Sequence, residues 1–249
     1  MNRCFAVLLI LVSLALPAGK ASAAVEAGEG YVQPTYPELV QTLLMMGGAD
    51  ITNTKVADEY GRLVYCELFR KSFSNDVVSE KHRTEIVNRA LKKKEYFRVK
   101  YEVVGIFYLG RYDFKNEYFP IAPKAPITNV GTVNLFSPKD FGTDCAGIGV
   151  YSSVFPMSIV MQLNEPLTIQ GFRIAKEKVE KLMVRLEEAG NTDRRVYGRI
   201  RLMTTDAKGI NFTQSNASQA VLNGKVISVD FFIDHELTKP IASIRVNKE

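Results

Sequence analysis

Arg195, Tyr197, Arg199 and Arg201 stand at every second position of one stretch, with Val196, Gly198, Ile200 and Leu202 between them. A period of two is that of a strand, and it places the four polar side chains on one face. Three guanidiniums in line could hold a carboxylate or a phosphate through paired N–H donors, which makes this row the candidate binding site. The competing reading is an ordinary salt-bridged sheet surface. Asp230 and Asp234 alternate on a later strand and could neutralise the arginines from across the sheet.

Histidine chemistry has two residues to work with, His82 and His235. His235 is flanked by Asp234 and Glu236, with Asp230 four places earlier, so it could serve a hydrolase or hold a cation if the chain turned there. Neighbouring residues of a strand face opposite ways, which argues against convergence. The HxxxH and HExxH spacings that make zinc credible are absent, so no metal is expected. The glycines of 142–149 lack the GKS or GKT ending of a phosphate loop and there is no GxSxG, so no cofactor and no catalytic residue is assigned. Lys92-Lys93-Lys94, with Arg89 a turn earlier, suits the C-terminal end of a helix, whose dipole favours cations without any partner.

The first residues bear on compartment. Arg3 supplies a positive charge, Phe5–Leu16 is a largely apolar run, and Ala21-Ser22-Ala23 has the small-x-small form of a cleavage site, together the pattern of a secretory signal peptide over 1–23. Cys4 precedes the apolar core, too early for a lipid-carrying cysteine. That core is too short for a membrane span, and no later stretch approaches one, so no transmembrane segment is expected after cleavage. Losing Arg3 and Lys20 with the leader lowers the formal charge of +5 by two. Such a balance argues against nucleic acid as the partner. Cys66 and Cys145 then remain, and two cysteines in an oxidising compartment suggest one disulfide, the alternative being two separately buried thiols.

The elements that would position these residues follow from periodicity. Residues 24–33, small and acidic, are read as a linker, and a single domain is expected over 34–249 with a helical subdomain at 34–95. Thr35 and Glu38 have capping-box spacing ahead of Leu39, Val40, Leu43 and Leu44, which predicts a helix ended by Gly47-Gly48. Val56 to Leu68 and Ile86 to Leu91 predict two more. Phe97 to Val103 alternates as a strand, whereas 122–149, rich in proline and glycine, is expected to be mostly loop around one short strand at 133–136. Ile159 to Phe172 reads as extended chain broken at Asn164-Glu165-Pro166. Val179, Leu182, Met183 and Leu186 define a helical face closed by Gly190, and 226–233 and 241–246 supply the last strands. The fold class expected is α+β, with N-terminal helices followed by a mainly antiparallel sheet and one crossing helix.

Tyr65-Cys66-Glu67-Leu68 on a helix, Leu109-Gly110-Arg111-Tyr112-Asp113-Phe114 followed by Phe119-Pro120, and the strand–helix–Arg195-Val196-Tyr197 unit carry a resemblance. On these motifs the chain resembles a group of uncharacterised exported bacterial proteins classed as a domain of unknown function. The resemblance implies an envelope location, periplasmic or secreted, and no assigned activity. The function expected is that of a non-enzymatic binding or interaction module, taking an envelope protein or a small anionic ligand, with a hydrolase built on His235 as the alternative.

Overall fold

The structure, a computed structural model, describes residues 30–72, 76–93, 100–121, 127–137, 154–208 and 219–247. Four helices come first, α1 (Tyr36–Met45), α2 (Thr54–Val64), α3 (Cys66–Ser72) and α4 (Asp76–Lys93). Strands β1 (Lys100–Tyr108), β2 (Tyr118–Pro120), β3 (Ile127–Phe136), β4 (Ser158–Ile169) and β5 (Gly171–Arg173) follow. Helix α5 (Lys176–Glu188) then precedes β6 (Arg195–Lys208), β7 (Gln219–Phe232) and β8 (Pro240–Arg245).

The expected fold class is corrected by this arrangement. Among the described residues the chain is mostly β, with 42% strand against 32% helix. Its main sheet is mixed: the order is β1-β6-β7-β4-β3 with β8 beside β7, and β4 runs parallel to β7. The long β7 meets β4 along Gln219–Gly224 and β8 along Ser228–Phe232, while β6 pairs with it on the other side. A second sheet joins β2 and β5.

Two physical features hide this from periodicity. Strand β4 passes through Asn164-Glu165-Pro166 without ending, because its pairing with β7 stops at Leu163 and its register against β3 shifts between Val130 and Thr132. The missing proline N–H therefore falls at an irregularity, where no ladder bond is lost. Likewise β3 occupies much of the stretch expected to be loop, tolerating its glycine and the left-handed Asn129 through register shifts. Alternation also carries no information on whether two strands run parallel.

Bulges keep apolar side chains inward where the parity of a strand changes. Leu202 faces Val226 and Arg201 faces Ser228, so Ile227 is the extra residue. Leu222 and Val226 before it, and Val229 and Phe231 after it, are all buried. One apolar cluster extends from α1 and α2 through the inner face of the sheet to Val179, Leu182 and Leu186 of α5. Opposite Gly105, Gly198 has no room for a side chain, since an added Cβ would overlap the Phe107 ring.

Helix α1 starts where expected, with Pro37 in its first turn, but Thr35 makes no side-chain cap. Its Tyr36 hydroxyl donates to the Pro156 carbonyl at 3.2 Å, and Thr42 hydrogen-bonds the Tyr101 hydroxyl on β1. Asn53 caps α2 by accepting from the Lys55 and Val56 amides. Within the stretch read as linker, Tyr31 is buried and Val32 bridges Tyr101, accepting from the Glu102 amide at 3.0 Å. Helix α5 ends on Gly190 at φ +74, with the Asn191 amide donating to the Leu186 carbonyl at 2.8 Å.

Candidate functional site

The register of β6 gives each arginine of the row its neighbours. Arg199 lies opposite Asp230 of β7 on one side and Val104 of β1 on the other, while Arg201 lies between Ser228 and Glu102. Glu102 is 2% exposed, and its carboxylate lies 3.9 Å from Arg199 and 3.7 Å from Arg201. Asp230 lies 3.3 Å from Arg199 and 3.7 Å from Arg201, and it also accepts from the Ser243 hydroxyl at 2.6 Å. Two acids thus face two arginines in one network. Arg199 stacks over Phe232 and Arg201 over Tyr31, with the guanidinium carbons 5.0 and 5.3 Å from the ring centres. The charge available for a ligand here is therefore largely matched already.

The rest of the row contributes less. Arg195 has a buried Nε with no hydrogen-bond partner among the described residues. The ring of Tyr197 lies edge-on to His235, 6.1 Å between centres. Asp234 makes no ion pair with the arginines among the described residues. Instead it closes the β7–β8 turn, accepting from the Thr238 hydroxyl and from the Thr238 and Lys239 amides at 2.6–3.1 Å.

The acids around His235 are consequently dispersed. His235 is 71% exposed and meets Glu236 at 3.0 Å, whereas Asp230 and Asp234 are committed elsewhere. His82 lies on α4 beside a cavity of 220 Å³ that Asp58, Asp76, Ser79 and Arg83 also line, and Arg83 is held by both oxygens of Asp58 at 2.7 and 3.1 Å. Among the described residues no group of three or more His, Cys, Asp or Glu side chains could hold a metal ion. Cys66 opens α3, while Cys145, the signal stretch 1–23, Lys94 and the 142–149 glycines lie outside the described residues.

A different constellation is assembled between α5 and the start of β8. Arg173, Lys178, Lys181 and Arg185 line a groove of 410 Å³ whose other walls are Ile174, Ala175, Leu182, Pro240 and Ile241. Among the described residues no carboxylate lines it. Lys178, Lys181 and Arg185 are spaced i, i+3, i+7, so like charges sit on adjacent turns of one helix face, at a cost of about 0.2–0.5 kcal/mol per neighbouring pair. None of the four forms an ion pair among the described residues, unlike Arg199 and Arg201. In the sequence Glu177 and Glu180 are interleaved with these lysines, which obscures the cationic face. The i, i+3, i+7 spacing of the cations was the signal that could have found it.

Fold and site together define a mixed-sheet protein with a neutralised charge network on one strand face and an unneutralised cationic groove beside its last helix. A family model described as a domain of unknown function, DUF4852, matches residues 53–185, more than half of the chain, and the chain belongs to that family. No curated protein and no solved structure was found to match it.

Proposed function

We propose that the protein is an exported component of the bacterial envelope that binds a small anionic ligand without transforming it, in the groove between α5 and β8. The observation that carries this reading is the set of four cations, Arg173, Lys178, Lys181 and Arg185, lining one concavity with no carboxylate among them. Its volume of 410 Å³ lies within the range of small-molecule sites, about 300–1,000 Å³. An anion there would relieve the mutual repulsion along α5.

Titration calorimetry with pyrophosphate tests this. Wild type should bind it, more weakly at 0.5 M than at 0.1 M salt because the contacts are solvent-accessible. Lys178→Gln/Lys181→Gln/Arg185→Gln should lose about 0.6–3 kcal/mol of affinity, at about 0.2–1 kcal/mol per exposed charge contact. Equal binding by wild type and the triple variant would overturn the assignment.

Export rests on the leader pattern of residues 1–23, and no described helix is long and apolar enough to cross a membrane. For the Cys66–Cys145 pair the support is that Cys66 is disulfide-bonded and that Cys145 is the other cysteine left once Cys4 is removed with the leader. Non-reducing peptide mapping of protein from the host should find a chain starting near Ala24 with Cys66 and Cys145 in one cross-linked peptide pair. An uncut amino terminus or two free thiols would contradict it.

A further inference from the structure

We propose that the groove between α5 and β8 takes an anionic amphiphile, a phosphate or carboxylate head on a short apolar body, rather than a purely hydrophilic anion. This rests on the anion-binding reading above and narrows it to a ligand class. The cations form the rim: Arg173, Lys178 and Lys181 are exposed, and Arg185 is half-buried. The floor is apolar. Leu182 is buried, Ile174 and Ile241 are half-buried, and among the described residues no side-chain hydrogen-bond donor or acceptor other than the four cations lines the cavity.

A hydrated polyanion seated in such a groove would gain charge contacts at the rim but would set charged oxygens against Leu182 and Ile241. Those oxygens would lose water with nothing to replace it. An apolar body on the same floor removes hydrocarbon from water on both sides and leaves the head group at the rim. The lysine and arginine stems suit this division, since their methylenes can lie along apolar surface while the charges stay in water. The head and tail could come from a free amphiphile or from a membrane lipid, and the two sources are separable by experiment.

The test uses the full mature chain and calorimetry with inorganic phosphate, then butyl, hexyl and octyl phosphate below their aggregation concentrations. Octyl glucoside serves as the uncharged control. Affinity should rise from inorganic phosphate to butyl phosphate, by about fourfold for each methylene the floor covers at about 0.8 kcal/mol per buried CH₂, and level off in the longer chains once the floor is covered. Octyl glucoside should not bind, and Lys178→Gln/Lys181→Gln/Arg185→Gln should weaken octyl phosphate by about 3- to 150-fold. Affinity that does not change with chain length overturns this inference while leaving anion binding intact. Failure of every anion, pyrophosphate included, ends both. Ile241→Asn should flatten the chain-length series without abolishing phosphate binding; should that variant not fold, the wild-type series decides alone. Vesicles of phosphatidylglycerol and of phosphatidylcholine distinguish the sources. Cosedimentation with the former, lost in the triple variant, assigns a membrane lipid, and octyl phosphate binding without cosedimentation assigns a free amphiphile. Cosedimentation with no octyl phosphate binding is adsorption to a charged surface and overturns the inference.

Discussion

Replacing Glu102 by Gln should destabilise the protein by about 2–3 kcal/mol, far more than loss of a surface acid. Glu102 is 2% exposed, and the arginines it faces, Arg199 and Arg201, are 17% and 26% exposed. Removing one partner of a fully buried ion pair costs about 3–5 kcal/mol, because the charges left behind remain desolvated. Two features reduce that figure here. The closest approaches are 3.7 and 3.9 Å, outside hydrogen-bond range, and Asp230 at 3.3 Å from Arg199 keeps part of the field. Coulomb attraction at about 3.8 Å and an effective dielectric of about 20 is about 4 kcal/mol per pair before desolvation, which leaves ample room for a net effect of this size. Urea denaturation of wild type, Glu102→Gln, Arg201→Gln and the double variant gives the cycle, with a coupling of about 1–2 kcal/mol expected. A Glu102→Gln change within about 0.5 kcal/mol of wild type, the range of an exposed pair, would refute the buried network.

Two further outcomes follow from local geometry. Gly198→Ala places a methyl group on the Phe107 ring and should cost about 1–3 kcal/mol by overpacking; an unchanged melting temperature would show that β1 and β6 separate more easily than their register implies. At Asp234, burial raises the carboxyl, but hydrogen bonds from the Thr238 hydroxyl and the Thr238 and Lys239 amides outweigh it and hold the group below the usual aspartate range. A pKa lower in the folded chain than in the unfolded one gives stability that is fully present above about pH 4 and lost as the pH falls through the folded value. Asp234→Asn should therefore lessen the acid sensitivity of unfolding, and parallel acid limbs for the two proteins would contradict the turn's role.

Local periodicity was readable wherever one face of an element meets the core. Val179, Leu182 and Leu186 with Gly190 mark α5, and the alternation from Arg195 to Met203 marks the first part of β6. Partners across the fold were not readable. Asp230 was in view as a neutraliser of the arginines, but Glu102 lies among alternating residues that look solvent-facing, and it is buried because Arg201 and the Tyr31–Val32 segment come to it from elsewhere in the chain. Asp234 has the same alternate spacing as Asp230, yet it closes a turn. The fold class failed on direction and continuity, since neither the parallel β4–β7 pair nor the passage of β4 through Pro166 leaves a mark on hydrophobic alternation. The cationic groove needed Pro240 and Ile241 of β8 as its second wall, so the helix face alone looked like solvated surface.

Mapping amide shifts in ¹H–¹⁵N spectra during a pyrophosphate titration decides between the α5–β8 groove and the β6 arginine row as the working surface. Anion binding in the groove gives saturable shifts confined to residues 173–185 and to Ile241 and its neighbour Ala242, with Tyr197, Arg199 and Arg201 unmoved. Saturable shifts centred on 197–201 and 230, with 173–185 silent, would contradict it.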